Sequence, residues 1–170
     1  MTTIIGVDPS LTSTGVAFGD ETLTINSKHK GIERVNEIVL SLLDLVTPQN
    51  EPHIYIEGYS FSSRNSHAHA LGELGGCIRL ELWRRQIPYT DIPPTVRAKF
   101  ATGRGNANKN EVVSSVSART GIVWSGKGSD DKCDAWILQE IGLYLLGEPR
   151  YEWPSKNTES LIKLITESAT

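Results

Sequence analysis

The stretch IIGVDPSLTSTGVAF, residues 4–18, constrains the fold more than any other part of the chain. A β-branched apolar run ends in an acid, Asp8. A turn of small polar residues follows, and a second apolar run begins. The pattern recurs at HIYIE, residues 53–57, where a short alternating strand ends in Glu57. A carboxylate held against an apolar strand is costly unless a charge or hydrogen bonds meet it. If the two strands are neighbours, both carboxylates stand on one rim of a sheet, where sites commonly form in α/β proteins.

The segments between these strands read as one α/β domain. Thr3–Asp8 is a buried strand in which Gly6 permits close approach by another element. Gly15–Phe18 and Leu23–Ser27 form a hairpin around Gly19-Asp20-Glu21, so three antiparallel strands open the fold. Gly31–Val46 carries apolar residues at helical spacing and stops before Pro48. A loop follows Glu57, and Ala68–Arg85 is a second helix whose Gly72, Gly75 and Gly76 imply close packing by another backbone. Pro88–Ile92 is a fifth strand, Pro93-Pro94 opens a new segment, and Lys109–Arg119 is a helix. Asp131–Leu146 is a strongly amphipathic helix with acids in the turn where its dipole favours them. Ser155–Glu167 is a terminal helix behind Pro154. The expected fold is a five-stranded mixed sheet, its first three strands antiparallel, flanked by helices.

Asp131 and Asp134 are three residues apart and share one helix face. If that helix start packs against the rim, four carboxylates converge with Asp8 and Glu57. Such a cluster repels itself and raises its own pKa values. A hard dication, Mg²⁺ or Mn²⁺, relieves the repulsion, because it takes oxygen ligands from carboxylates and phosphate. Each acid taken singly is equally an ordinary turn or helix-start residue. The formal net charge of −3 conceals a segment, Arg79 to Lys127, with nine Lys or Arg against three acids. That segment has the sign a polyanion requires.

No apolar run approaches the roughly 20 residues of a membrane span, and the first residues lack a basic-then-apolar leader. The two cysteines, Cys77 and Cys133, form no CxxC and read as reduced thiols, so a cytoplasmic protein without membrane association is the expectation.

The chain resembles the RuvC family of Holliday junction resolvases, within the ribonuclease H-like superfamily. The resemblance is carried by IIGVDPSLTSTGVA, IYIEGYSF, HALGELGGCIRLELWRRQIPY, IPPTVRAKFATGRGNANKNEV and DDKCDAWILQ, in that order. It covers residues 1–146 as the nuclease domain. Residues 147–170 lie outside it as a C-terminal extension, expected to be helical and part of the same domain. By this resemblance the metal-binding acids are Asp8, Glu57, Asp131 and Asp134, with Asp130 the adjacent alternative to Asp131. Lys109 is the basic residue of a K-x-x-V helix start. Arg97 occupies a second basic position, where many relatives have Lys.

The resemblance implies phosphodiester hydrolysis with two Mg²⁺ ions per site, Mn²⁺ substituting, and no protein nucleophile. Lys109 then stabilises charge on the phosphate. The implied substrate is branched DNA, chiefly the four-way junction, cut by a homodimer with paired nicks in a bacterial cell or the host cell of a bacterial virus. Expected DNA contacts are Tyr59, Phe61, Arg64, Arg84, Arg85, Arg97, Lys99, Arg104, Lys109, Arg119 and Lys127, with Tyr59 or Phe61 available to stack on a splayed base. His67 and His69 are expected to meet DNA backbone or solvent. The glycine-rich Leu71–Leu82 is the candidate dimer face, or else packs on its own sheet. Three rivals stand beside this reading. One is a nuclease for forks and flaps, and another is a junction binder that does not cut. The third is an ATPase, since DPSLTSTGV resembles a first phosphate loop, but two such domains do not fit in 170 residues.

Overall fold

The computed structural model describes residues 1–59 and 66–168. Five strands, β1 (Thr3–Asp8), β2 (Thr14–Phe18), β3 (Glu21–Ile25), β4 (Pro52–Glu57) and β5 (Tyr89–Ile92), form one sheet in the order β3-β2-β1-β4-β5. β1, β2 and β3 pair antiparallel, while β1, β4 and β5 pair parallel. The helices among the described residues are α1 (Gly31–Val46), α2 (Ser66–Arg84), α3 (Pro94–Thr102), α4 (Lys109–Thr120), α5 (Ser129–Leu146) and α6 (Ser155–Ser168).

Strand alternation divides the core into two layers. Ile5, Val7, Val16, Ile54 and Ile56 point to one face and are buried against Ile38 and Leu42 of α1 and Leu74, Ile78 and Leu82 of α2. Each such side chain contributes roughly 1.5–3 kcal/mol on full burial. Ile4, Ala17 and Tyr55 point to the other face, against α5, which α3, α4 and α6 cover in turn. Two glycines let α5 lie directly on the strands. A Cβ on Gly6 would stand 1.9 Å from the Ala135 carbonyl oxygen, and one on Gly15 would stand 2.1 Å from that of Asp131.

The structure departs from the sequence-based expectations in four places. β3 begins at Glu21, two residues early, because Phe18 pairs with Glu21 across a two-residue turn in which Gly19 adopts φ +54°. α3 forms behind Pro93-Pro94, with Pro94 at its first position and Gly103 closing it in the left-handed conformation. α5 is not amphipathic: Cys133 through Gly142 are all buried, since the helix is enclosed by the sheet and by other helices. In α2, Gly75 faces the Tyr59 ring rather than a backbone, a Cβ there falling 3.1 Å from it.

The extension beyond α5 packs back on the domain. Leu161 of α6 is fully buried, and Asn157 donates to the Phe100 carbonyl at 2.7 Å. Among the described residues no helix is long and apolar enough to cross a membrane.

Candidate active site

The site forms where β1 and β4 end beneath the start of α5. Parallel pairing matches Val7 with Ile56, so the next residues, Asp8 and Glu57, stand side by side. Gly6 and Gly15 admit α5, whose first two turns present Asp131 and Asp134 to the same rim. Asp134 is 6 % exposed. Its carboxyl is pushed up to about 7, by burial first, with the Arg97 cation opposing and Glu57 adding to the rise. The Asp8 carboxyl lies well above the usual range, from burial and then the charges of Glu57 and Asp134. Asp131 is raised by burial, against a hydrogen bond from Ser13.

Arg97, in the first turn of α3, reaches into this cluster. Its Nε donates to Glu57 Oε2 and its Nη1 to Asp134 Oδ1, and its side chain is only 13 % exposed. Burial disfavours the cation, but Glu57, Asp134 and Asp8 outweigh that, and its pKa rises. The guanidinium of Arg97, expected as a DNA contact, is turned inward onto two of the acids.

Lys109, the first residue of α4, extends from a helix start fixed by an Asn108–Glu111 capping box. Its Nζ bonds Asp130 Oδ2 at 2.8 Å, which raises the lysine and lowers the aspartate. Asp130 is thus the lysine's partner, while Asp131 raises Asp8 and Asp130 raises Asp134.

The oxygen-only donor set and its surplus of negative charge fit a hard dication. The buried cation already drawn between Glu57 and Asp134 is the structural sign of that demand. The spacing is less simple than the sequence implied. Among the described residues no three acid, histidine or cysteine side chains are gathered closely enough to hold a metal ion, and Arg97 bridges two of the acids.

Tyr59 is half exposed, and the Arg79 guanidinium lies over its ring at 4.6 Å. Arg79, which the sequence reading passed over, also donates to the Gly75 carbonyl at 3.0 Å, the Glu57 carbonyl at 3.2 Å and Asp91 Oδ1 at 2.9 Å. It ties α2, β4 and β5 together behind the acids. The signal available in sequence was its place one helical turn after Gly75. A cleft of about 110 Å³ opens here, lined by Asp8, Glu57, Tyr59, Leu71, Gly75 and Arg79.

Other basic residues are already paired. Arg84 and Arg85 bond Glu81, Lys99 bonds Glu159, Arg104 bonds Glu111, and Arg119 donates to the Glu152 carbonyl. Lys127 lines a cavity of about 480 Å³ beside Asp131, with Ser13 and Arg34. His69 is exposed. Phe61 and Arg64 lie outside the described residues, as does the side chain of His67. In α2, Leu74, Ile78 and Leu82 pack on the domain's own core, and Leu80 and Trp83 are exposed on the opposite side.

No protein-family model matches the chain. Among curated proteins it is 28 % identical over 153 residues to the crossover junction endodeoxyribonuclease RuvC of Prochlorococcus marinus (strain NATL2A), covering 84 % of this chain and 98 % of that one. It is also 28 % identical over 145 residues to the RuvC of Brachyspira hyodysenteriae, covering 77 % and 87 %. In fold it matches Thermus thermophilus RuvC with a TM-score of 0.62 at 20 % identity, over 89 % of this chain and 99 % of that one. The same enzyme in complex with Holliday junction substrate matches with a TM-score of 0.64 at 19 % identity, over 91 % and 100 %. The chain is thus similar to RuvC proteins in sequence over most of its length, and its fold, a five-stranded mixed sheet flanked by helices, matches that of Thermus RuvC.

Proposed function

We propose that this chain is a structure-selective DNA endonuclease that resolves four-way junctions by metal-dependent phosphodiester hydrolysis. The observation that carries the reading is the meeting of Asp8, Glu57, Asp131 and Asp134 at one rim, with more negative charge than Arg97 can neutralise. The RuvC names of its relatives, and the junction bound by the Thermus protein, support the substrate.

In this reading Asp8, Glu57, Asp131 and Asp134 would hold two Mg²⁺ ions. When bound, such ions supply hydroxide at neutral pH and stabilise the leaving 3′-oxygen. The chain's own residues do the rest. Gly6 and Gly15 fix α5, and so the acids, against the sheet. Lys109 stands 70 % exposed beside Asp130 and Asp131, placed to bond a phosphate oxygen as charge builds on it. Tyr59, held by Arg79, offers its free half to a nucleobase at the mouth. Phosphate contacts come from Lys127, and from Arg84, Arg85 and Arg104 once their acid partners are exchanged for DNA, so affinity falls steeply with salt. A homodimer supplies matched sites for the two nicks, with the exposed Leu80 and Trp83 face of α2 as its contact. The protein then acts in the cytoplasm of a bacterial cell or of a bacterial virus's host.

The test is cleavage of a panel of four-way junction, fork, flap and duplex DNA with Mg²⁺ or Mn²⁺, mapping both strands. Paired, symmetric nicks in the junction are expected. Equal cutting of forks and flaps would widen the substrate to branched DNA generally. Gel retardation without cutting would make the chain a junction binder.

A further inference from the structure

Arg97 takes up one oxygen on each of two carboxylates that the proposed function gives to metal. Its guanidinium forks between Glu57 Oε2, at the end of β4, and Asp134 Oδ1, on α5. Asp8 feels the Arg97 charge, and Asp131 takes a hydrogen bond from Ser13. The fork takes one oxygen of each carboxylate and sets a positive charge between them, so a dication approaching the same pair meets its repulsion. The side chain springs from the first turn of a nine-residue helix and keeps 13 % of its surface exposed.

We propose that Arg97 is a resident counter-ion: it neutralises Glu57 and Asp134 in the metal-free protein and withdraws when a divalent ion enters, thereby setting how tightly the ion is held. This rests on the reading of the acids as metal holders given above. Lysine keeps the charge but cannot fork between two carboxylates. Replacing Arg97 by lysine therefore separates the fork from the charge alone.

The experiment is a titration of the metal-free full-length protein with Mn²⁺, following free Mn²⁺ by electron paramagnetic resonance, for the unaltered chain, Arg97→Lys, Arg97→Gln and Glu57→Gln. The expected result is tightening by about tenfold or more in Arg97→Gln, a smaller tightening in Arg97→Lys, and loss of about tenfold or more in Glu57→Gln. If Arg97→Lys binds as the unaltered chain does, or either Arg97 variant binds more weakly, while Glu57→Gln still loses the ion, the exchange is overturned and the metal site stands. If Mn²⁺ binding is absent or indifferent to Glu57→Gln, the metal site itself fails and the exchange with it. A second readout needs no variant that might misfold. The Arg97 Nε–H resonance of the unaltered chain is expected to move from a carboxylate-bonded to a solvent-like position on adding Mg²⁺. An unmoved resonance overturns the exchange.

Discussion

Two buried carboxylates on α5, six residues apart, are each answered by an arginine from another element, and the two clusters differ in charge balance. Glu140 is fully buried. Arg150 meets it with Nε at 2.8 Å and its backbone N–H at 2.9 Å, and spends its remaining donors on the Gly19 carbonyl and the Gln139 side chain. Trp136 lies under the same guanidinium. The buried anion has a cation of its own, which also lies 3.8 Å from the exposed Asp20 carboxylate. Asp134 shares its arginine with Glu57, and Asp8 and Asp131 crowd the same rim. The first cluster pins residues 147–154 to the domain. The second holds an excess of negative charge that the fold does not relieve, as an ion-binding site requires.

The comparison breaks most sharply at Asp8. Asp8→Asn is expected to lower junction nicking by on the order of 10³-fold or more, with junction binding by gel shift retained. Full activity in that variant removes Asp8 from the site. The balanced cluster answers to stability instead. Arg150→Met leaves Glu140 buried without its cation and is expected to cost about 3 kcal/mol. That lowers the melting temperature by roughly 6–12 °C, and nicking at 25 °C should stay within about a factor of two because the cluster is remote from the acids. A large loss of nicking in the folded variant would erase the distinction between the two clusters.

Lys109→Ala sharpens the picture at the rim. Cleavage is expected to slow by about 10–100-fold, with a smaller loss of junction affinity. Equal losses would reduce Lys109 to a tether. The smallest effect is on the metal-free protein. A carboxyl whose folded pKa lies above its unfolded value supports the fold at low pH and loses that support as pH rises through the folded value. The Asp8 carboxyl is raised in this way. Asp8→Asn should therefore melt higher than the unaltered chain at pH 8, by about 2–4 °C per kcal/mol relieved, with the difference vanishing near pH 4. A lower melting point at pH 8 would mean that the charge on Asp8 is welcome there.

Much of this was legible in the sequence because it depends on local pattern. Alternation in β1 and β4, each ending in an acid, and the i, i+3 spacing of Asp131 and Asp134 are properties of short segments. So is the hairpin at Gly19, apart from its register, which a two-residue turn moved. What escaped was set by contacts distant in the chain. α3 has no strong apolar period and forms because Phe100, Ala98 and Ala101 are covered from beyond, by α5 and α6. Arg97 and Lys99, neighbours in a basic segment, looked like phosphate contacts, but their acids lie 37 to 60 residues away. The glycines of α2 suggested a backbone neighbour, whereas that kind of approach occurs at Gly6 and Gly15 under α5. Charge composition indicated where positive residues lie along the chain but not which anions they face.

The most direct test of the central claim is anomalous diffraction from crystals of the unaltered protein grown with Mn²⁺. Anomalous peaks bounded by the carboxylates of Asp8, Glu57, Asp131 and Asp134 are expected. Mn²⁺ bound elsewhere, or no peak among these four side chains at saturating Mn²⁺, would contradict it.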